Sequence, residues 1–282
     1  MTYKVICLTF SFLLFSFSSQ ALEICGHRAQ GNLLLGKDSN LHQVLLNGKE
    51  QPFNNDGYFL LALGRDADIS QKLTILHQDA EMNYPTDYYT FTISKTPWNI
   101  QRINGVAERK VTPKQEDMDE ILRENQSVND ALATTPATQS FWLDGFIMPL
   151  DKYRVSGEFG GQRVINTHPK SPHRGMDLAA PEGTPVKASA GGVVTLSGGD
   201  FFYSGNMVII DHGNGLQTMY AHLKDTKVKV GDQVSQGDVV ATVGQTGRAT
   251  GPHLHWGASH NGTRINPQSL LDLNNSKLCT QL

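Results

Sequence analysis

The sequence predicts a mainly β chain made of an N-terminal β-sandwich, a helical connector and a C-terminal antiparallel β domain. Three observations carry that prediction. Short apolar or alternating runs separated by turn signals fill residues 31–95. A capped pattern with helical spacing follows, and after Pro149 the texture becomes strands punctuated by glycine. At 282 residues, the chain exceeds what one ordinary core holds, which favours two domains. With 39% hydrophobic and 18% charged residues it has the apolar content to fold. A net charge of −3 supplies no basic field for phosphates, so nucleic acid is excluded as the expected partner.

Residues 1–21 read as an export signal to be removed. Lys4 is the only charge, Val5 to Phe17 is largely apolar, and Ser19-Gln20-Ala21 offers small residues at both positions that a signal peptidase inspects. The alternative, a membrane anchor, needs about 20 apolar residues, and this run is shorter. The residue before Cys25 is Ile24, not the small residue that lipid attachment requires. The expectation is therefore an exported chain, periplasmic or secreted, starting near Leu22 with no stable membrane anchor. Cys7 leaves with the signal. Cys25 and Cys279 remain, and they admit either a disulfide or two free thiols.

Within residues 22–96, the runs Leu33–Leu35, Gln43–Leu46, Tyr58–Leu63, Leu73–Leu76 and Tyr88–Ser94 lie between turns at Asn47-Gly48 and Asn55-Asp56-Gly57. That spacing reads as a small antiparallel sandwich, with Asn-Gly marking a hairpin. Residues 97–147 form the connector. Thr112-Pro113-Lys114-Gln115 combines an N-cap, a proline at the first helical position and a glutamine three residues after the cap. Met118, Ile121, Leu122, Val128 and Leu132 keep helical spacing up to Thr134-Thr135-Pro136. This apolar stripe needs a surface, and the surfaces available include the cleft of the second domain.

Residues 148–272 carry the strands Gly192–Leu196, Met207–Asp211, Leu216–His222, Thr226–Val230 and Val239–Val243, leaving 273–282 as a tail. The separations are too short for crossover helices, so the strands are antiparallel. Seven of the ten histidines fall here. In His173-Arg174-Gly175-Met176-Asp177 an imidazole precedes a carboxylate by four residues. The flanking Pro172 and Ala179-Ala180-Pro181 argue for an irregular segment entering a strand. In His253-Leu254-His255 two imidazoles two apart point to the same face of a strand. Two imidazoles and a carboxylate are a ligand set for catalytic zinc, which keeps a position open for water. Each pair alone is a weak signal.

The wording around those pairs is specific. Ser156-Gly157-Glu158-Phe159-Gly160 with Arg163, Pro172 to Pro181, Gly183-Thr184-Pro185-Val186, Asp211-His212-Gly213, Tyr220-Ala221-His222-Leu223, Val230-Gly231-Asp232 and Thr246 to His255 occur in one order. Over about residues 150–271 the chain resembles the lysostaphin-type (LytM-type) zinc metalloendopeptidases, which cut the peptide part of peptidoglycan. The resemblance implies one zinc ion per chain, held by His173, Asp177 and His255. It implies His222 and His253 as the catalytic histidines, without deciding which is the base, and peptidoglycan stem peptides as substrate. Zinc supplies a nucleophile at neutral pH and polarises the scissile carbonyl.

Arg163 reads either as a guide for a stem-peptide carboxylate or as a structural ion pair. Phe202 and Tyr203, in the glycine-flanked loop Gly198–Gly205, read either as a substrate wall or as packing under a loop. His212 reads as structural, and His168 and His260 as rim or surface groups. More faintly, Ile100 to Val106 with Val111-Thr112-Pro113 resembles the connector between an immunoglobulin-like β-domain and the peptidase in exported members of this family. Two alternatives stand beside the enzyme: a catalytically silent LytM-type regulator of other wall hydrolases, and a biotinyl or lipoyl carrier barrel. The carrier needs a lysine at a hairpin tip, and Lys187 and Lys229 are not so placed. The sequence is silent on oligomeric state and on the bond cut.

Overall fold

The computed structural model describes residues 22–133, 139–273 and 275–282. The export-signal reading of 1–21 and the helix stop at Thr134-Thr135-Pro136 lie outside them. Among the described residues, no helix is long and apolar enough to cross a membrane.

The fold is mainly β. Two four-stranded sheets form the front of the chain and enclose a core that includes Ile24, Leu34, Val44, Phe59, Leu61, Leu73, Ile75 and Phe91. The strand Leu41–Leu46 turns into Lys49–Gln51 through Asn47 and Gly48, both at positive φ (51° and 80°), the backbone that an Asn-Gly hairpin requires. The run Leu33-Leu34-Leu35 is apolar throughout because its sheet has two buried faces. Leu34 points into the sandwich core, while Leu33 and Leu35 join Leu60 against Trp142, Phe159 and Trp256 of the second core. The segment read as a tail contains the strand Cys279–Gln281, which pairs with Glu23–Cys25, and Cys25 is disulfide-bonded to Cys279.

The second unit is built on a ten-stranded sheet. Its path runs from Gln233–Val234 through Gly192–Phe201, Gly205–Asp211, Leu216–Thr226, His253–His260 and Gly175–Ala179 to Arg154–Gly157, all antiparallel. One face carries Tyr220, Leu254, Trp256, Met176 and Leu178 into the core. The opposite face carries Ala221, Met219, His255 and Asp177.

The connector departs from its expected form in two places. The helix spans Gln115–Leu132 and is capped at Lys114, because the Asp117 carboxylate accepts the Lys114 N–H (3.1 Å) as well as the Arg109 guanidinium. Thr112 instead closes a short preceding helix, Glu108–Val111. In addition, Ile100–Ile103 pairs parallel with Gln162–Ile165, a strand addition that the short-range pattern did not reveal. The helix packs Val128, Ala131 and Leu132 against Leu196, Met207, Ile209, Met219 and Ala221, while Leu122 is 60% exposed.

Candidate metal centre and catalytic cleft

His173, Asp177 and His255 come together although the first and last are 82 residues apart. Asp177 and His255 lie directly opposite each other on adjacent antiparallel strands, so their side chains share a face. His173 sits just before the Gly175–Ala179 strand, where its N–H donates to the Gly161 carbonyl (2.9 Å). Two glycines clear the space. A β-carbon on Gly175 would meet His255 Nε2 at 2.7 Å, and one on Gly157 would meet Asp177 Oδ2 at 2.6 Å.

The donor atoms form a near-equilateral triangle. His173 Nε2 is 3.0 Å from Asp177 Oδ1, His255 Nδ1 is 2.9 Å from the same oxygen, and the two nitrogens are 3.0 Å apart. The opposite ring nitrogen of His173, Nδ1, donates to the Glu158 carbonyl (2.9 Å). That hydrogen bond fixes the tautomer, so in the neutral ring Nε2 presents a lone pair to a carboxylate oxygen. Facing acceptors repel unless a cation lies between them. The edge of a tetrahedral zinc site is about 3.3 Å for metal–ligand distances near 2.0–2.1 Å, so this donor set fits zinc in chemistry and in size.

Burial raises the Asp177 pKa, but the proximity of the His173 and His255 imidazoles outweighs it and holds the carboxyl well below its usual range. Burial pushes His255 down to about 4, partly opposed by Asp177. The second carboxylate oxygen of Asp177 is taken by Arg163, whose Nε also donates to Gln101 Oε1 (3.1 Å). Arg163 is thus engaged with Asp177 and the connector.

The rings of His222 and His253 lie beside these ligands, tilted by 46° to each other with centroids 4.6 Å apart, and the His222 ring is 6.0 Å from that of His255. His222 reaches the site by breaking strand alternation. Tyr220 faces the core and Ala221 lies opposite His255, so regular alternation would turn residue 222 away. Its φ of +61°, uncommon for a non-glycine residue, swings the ring back, and the N–H is held by the Ser204 carbonyl (2.8 Å). Burial, with the charges of His253 and His255 added, pushes His222 down to about 3. His222 Nδ1 donates to the Thr246 carbonyl (2.9 Å) and His253 Nδ1 to the Gly251 carbonyl (2.8 Å), leaving both Nε2 atoms available to the cleft. His253 Nε2 is 3.9 Å from Asp177 Oδ1.

The cleft encloses about 570 Å³ and is lined by Asp177, His222 and His253, by Arg163 and Arg248, and by Gln101, Arg102, Ile103 and Val106 of the connector. Phe202 is not brought to it. The ring is 4% exposed under Lys110 (3.8 Å to the ring centre), and its backbone is held by Glu124 and Lys110. Tyr203 lies beneath Arg248, 4.4 Å from the guanidinium.

His212 is fully buried, with Nδ1 on the Gly191 carbonyl (2.6 Å) and Nε2 on the Thr218 hydroxyl (2.7 Å). His168 is exposed, but His260, read as a rim or surface group, is fully buried with Nε2 on the Asn214 carbonyl (3.2 Å). It sits on the same strand as His255, five residues on, which turns it to the core face. Gln101 went unnoticed in the sequence because only the long-range pairing of its strand carries it to Arg163.

Residues 171–267 match peptidase family M23. The chain is 48% identical over 124 residues to the DD-carboxypeptidase/endopeptidase Mpg of Neisseria meningitidis serogroup B, covering 44% of this chain and 28% of the relative. It is 44% identical over 126 residues to the peptidoglycan DD-endopeptidase ShyC of Vibrio cholerae, covering 43% and 28%. It thus spans little more than a quarter of the length of these curated relatives. A putative peptidase M23 of Pseudomonas aeruginosa, solved by crystallography, matches with a TM-score of 0.66 at 28% identity, over 88% of this chain and 96% of that one.

Proposed function

Since the chain carries a peptidase family M23 domain across residues 171–267, we propose that it is an exported zinc-dependent endopeptidase that hydrolyses peptide cross-links of peptidoglycan. The observation that carries this reading is the triangle of His173 Nε2, Asp177 Oδ1 and His255 Nδ1, with two further imidazoles beside it in one cleft. These three residues hold one zinc ion, and stem peptides are the partners. When bound, zinc supplies Lewis acidity and makes water nucleophilic near neutral pH.

The rest of the work falls to the chain's own side chains. His253, at the accessible side of the cleft, takes a proton through Nε2 and returns it to the leaving amine. His222, held neutral by burial, keeps Nε2 as a fixed acceptor that orients the attacking water or a substrate N–H. Arg163 does not capture substrate in this reading. It neutralises Asp177 and fixes which carboxylate oxygen faces the imidazoles. Phe202 is a support for the connector, and Tyr203 a backing for Arg248.

Digestion of purified peptidoglycan of known cross-link chemistry by the zinc-loaded protein, followed by mass spectrometry, tests the reading. Muropeptide monomers released with a new amino and a new carboxyl end are expected. Full zinc occupancy with no released product would instead leave the silent-regulator alternative.

A further inference from the structure

We infer that Arg248 is a specificity-determining residue, which takes a free carboxylate of the peptide substrate in the same cleft as the bond being cut. This rests on the endopeptidase reading above. Arg248 lines the cavity of about 570 Å³ that also contains His222, His253 and Asp177, so the catalytic groups and this arginine face one space. Four arginines, Arg102, Arg154, Arg163 and Arg248, line that cavity against a single carboxylate, Asp177, although the chain as a whole carries a net charge of −3. Arg163 is paired with Asp177, and among the described residues the other three have no carboxylate partner. A cleft lined by one sign of charge concentrates ligands of the other.

Arg248 is held in place by its surroundings. Arg102 and Arg154 are exposed, whereas Arg248 is half-buried, with its guanidinium 4.4 Å from the centre of the Tyr203 ring and Nη1 donating to the Lys110 carbonyl at 3.4 Å. One edge of the group remains free. Nε and Nη2 have no hydrogen-bond partner among the described residues, and neither atom is sealed from solvent. The N–H groups on that edge run parallel and match the two oxygens of a carboxylate. Burial pulls the Arg248 pKa down, Tyr203 opposes the fall and the like charge of Arg163 adds to it, yet a guanidinium keeps its proton. A cation so placed gains from an anion that reaches it.

The backbone ties this arginine to the reaction. The Thr246 carbonyl accepts from His222 Nδ1 (2.9 Å) and the Gly251 carbonyl from His253 Nδ1 (2.8 Å), and Arg248 lies between those two residues in the chain. Its own N–H donates to the Tyr203 carbonyl (2.9 Å). Gly247, just before it, has a φ of +69°, and a β-carbon there would stand 2.4 Å from the Gly205 nitrogen and 2.5 Å from the Tyr203 carbonyl oxygen. The loop that orients both imidazoles therefore also sets the position of Arg248. A guanidinium fixed in advance loses little freedom on binding, so its contact with a carboxylate appears as affinity.

The test is calorimetric binding, on the zinc-loaded full chain, of a stem tetrapeptide with all carboxylates free and of derivatives with one carboxylate amidated at a time. Amidation at one position should weaken binding to the wild type by about 10- to 100-fold, the scale of a lost charge-assisted hydrogen bond. In Arg248→Gln the same amidation should make no difference, while the amidated peptide binds this variant as tightly as it binds the wild type, which shows the cleft to be intact. Arg102→Gln, at an exposed position of the same cleft, should keep the preference. A wild type indifferent to every amidation would overturn the proposal. So would a preference that survives in Arg248→Gln, which belongs to the metal or to another arginine, or an Arg248→Gln protein that binds the amidated peptide more weakly than the wild type does, which makes the residue a structural support. Peptidoglycan products without carboxylate preference sink the subsite alone, whereas a preference without products sinks the endopeptidase reading alone.

Discussion

The imidazole of His255 lies over Gly175, where a β-carbon would stand 2.7 Å from Nε2 and 2.5 Å from the Trp256 carbonyl oxygen. One of those neighbours is backbone and cannot yield. Gly175→Ala should therefore push His255 off the donor triangle, and the protein should lose zinc at least 10-fold more readily than wild type, as expected when a ligand's placement is disturbed. Competition against a chromophoric chelator reads the affinity. An unchanged zinc dissociation constant would show that the ring is not held by that contact.

His255→Ala and His253→Ala should separate metal from turnover. Removing a side chain of the triangle should abolish both zinc retention and hydrolysis. His253→Ala and His222→Ala should keep the metal and slow hydrolysis about 10²–10⁴-fold, the usual contribution of an acid–base group. Metal analysis alongside product release checks both, and undiminished zinc in His255→Ala would remove that residue from the ligand set.

The contrast between local and long-range signals explains how much was legible in the sequence. HxxxD and HxH are short patterns on and beside strands, so their residues could be named from spacing and from their surrounding words. The hairpin at Asn47-Gly48 is likewise local, since both residues need only their own backbone preference. The places of Gly175 and Gly157 depend on register between strands far apart in sequence, and a glycine near a histidine carries no mark of that. Ile100–Ile103 reads as an undistinguished connector until its parallel partner at Gln162–Ile165 is known. His260 looked like a surface group because strand parity cannot be assigned without knowing which face of the sheet is covered. Phe202, flanked by glycines, reads either as an open wall or as packing under the loop, and the choice turns on Lys110 and Glu124, which close over it from the distant connector.

Acid should destabilise the fold through buried histidines away from the metal centre. Burial pushes His212 down to about 4, whereas an unfolded histidine titrates near 6.5. Above about pH 6.5 both states are neutral and the native interactions contribute fully. Between about 6.5 and 4 the unfolded chain binds the proton first, so stability falls with pH, by roughly 3 kcal/mol for this one group. Urea unfolding at pH 7.5, 6 and 5 should show a slope shallower by up to one proton in His212→Gln than in wild type. Parallel slopes would mean that His212 stays neutral in both states.

Gln101, Arg102, Ile103 and Val106 of the connector line the cleft, and one of their contacts can be removed without dismantling the domain. Gln101 accepts from Arg163 Nε (3.1 Å) and donates to the Ser156 carbonyl (3.0 Å), so it ties the Ile100–Ile103 strand across the mouth that contains His222 and His253. Starting the chain at Phe146 is a less direct test, since it would also uncover Leu196, Met207, Ile209 and Met219 beneath the helix. Gln101→Ala removes two hydrogen bonds, each worth about 1 kcal/mol, which bounds the gain at roughly 30-fold. Hydrolysis of cross-linked peptidoglycan should rise several-fold within that bound, while a small soluble peptide, which needs less room, should be cut at nearly the wild-type rate. Both rates are to be compared at equal zinc occupancy. A variant no faster than wild type on the large substrate would show that the strand is a strut and does not limit access.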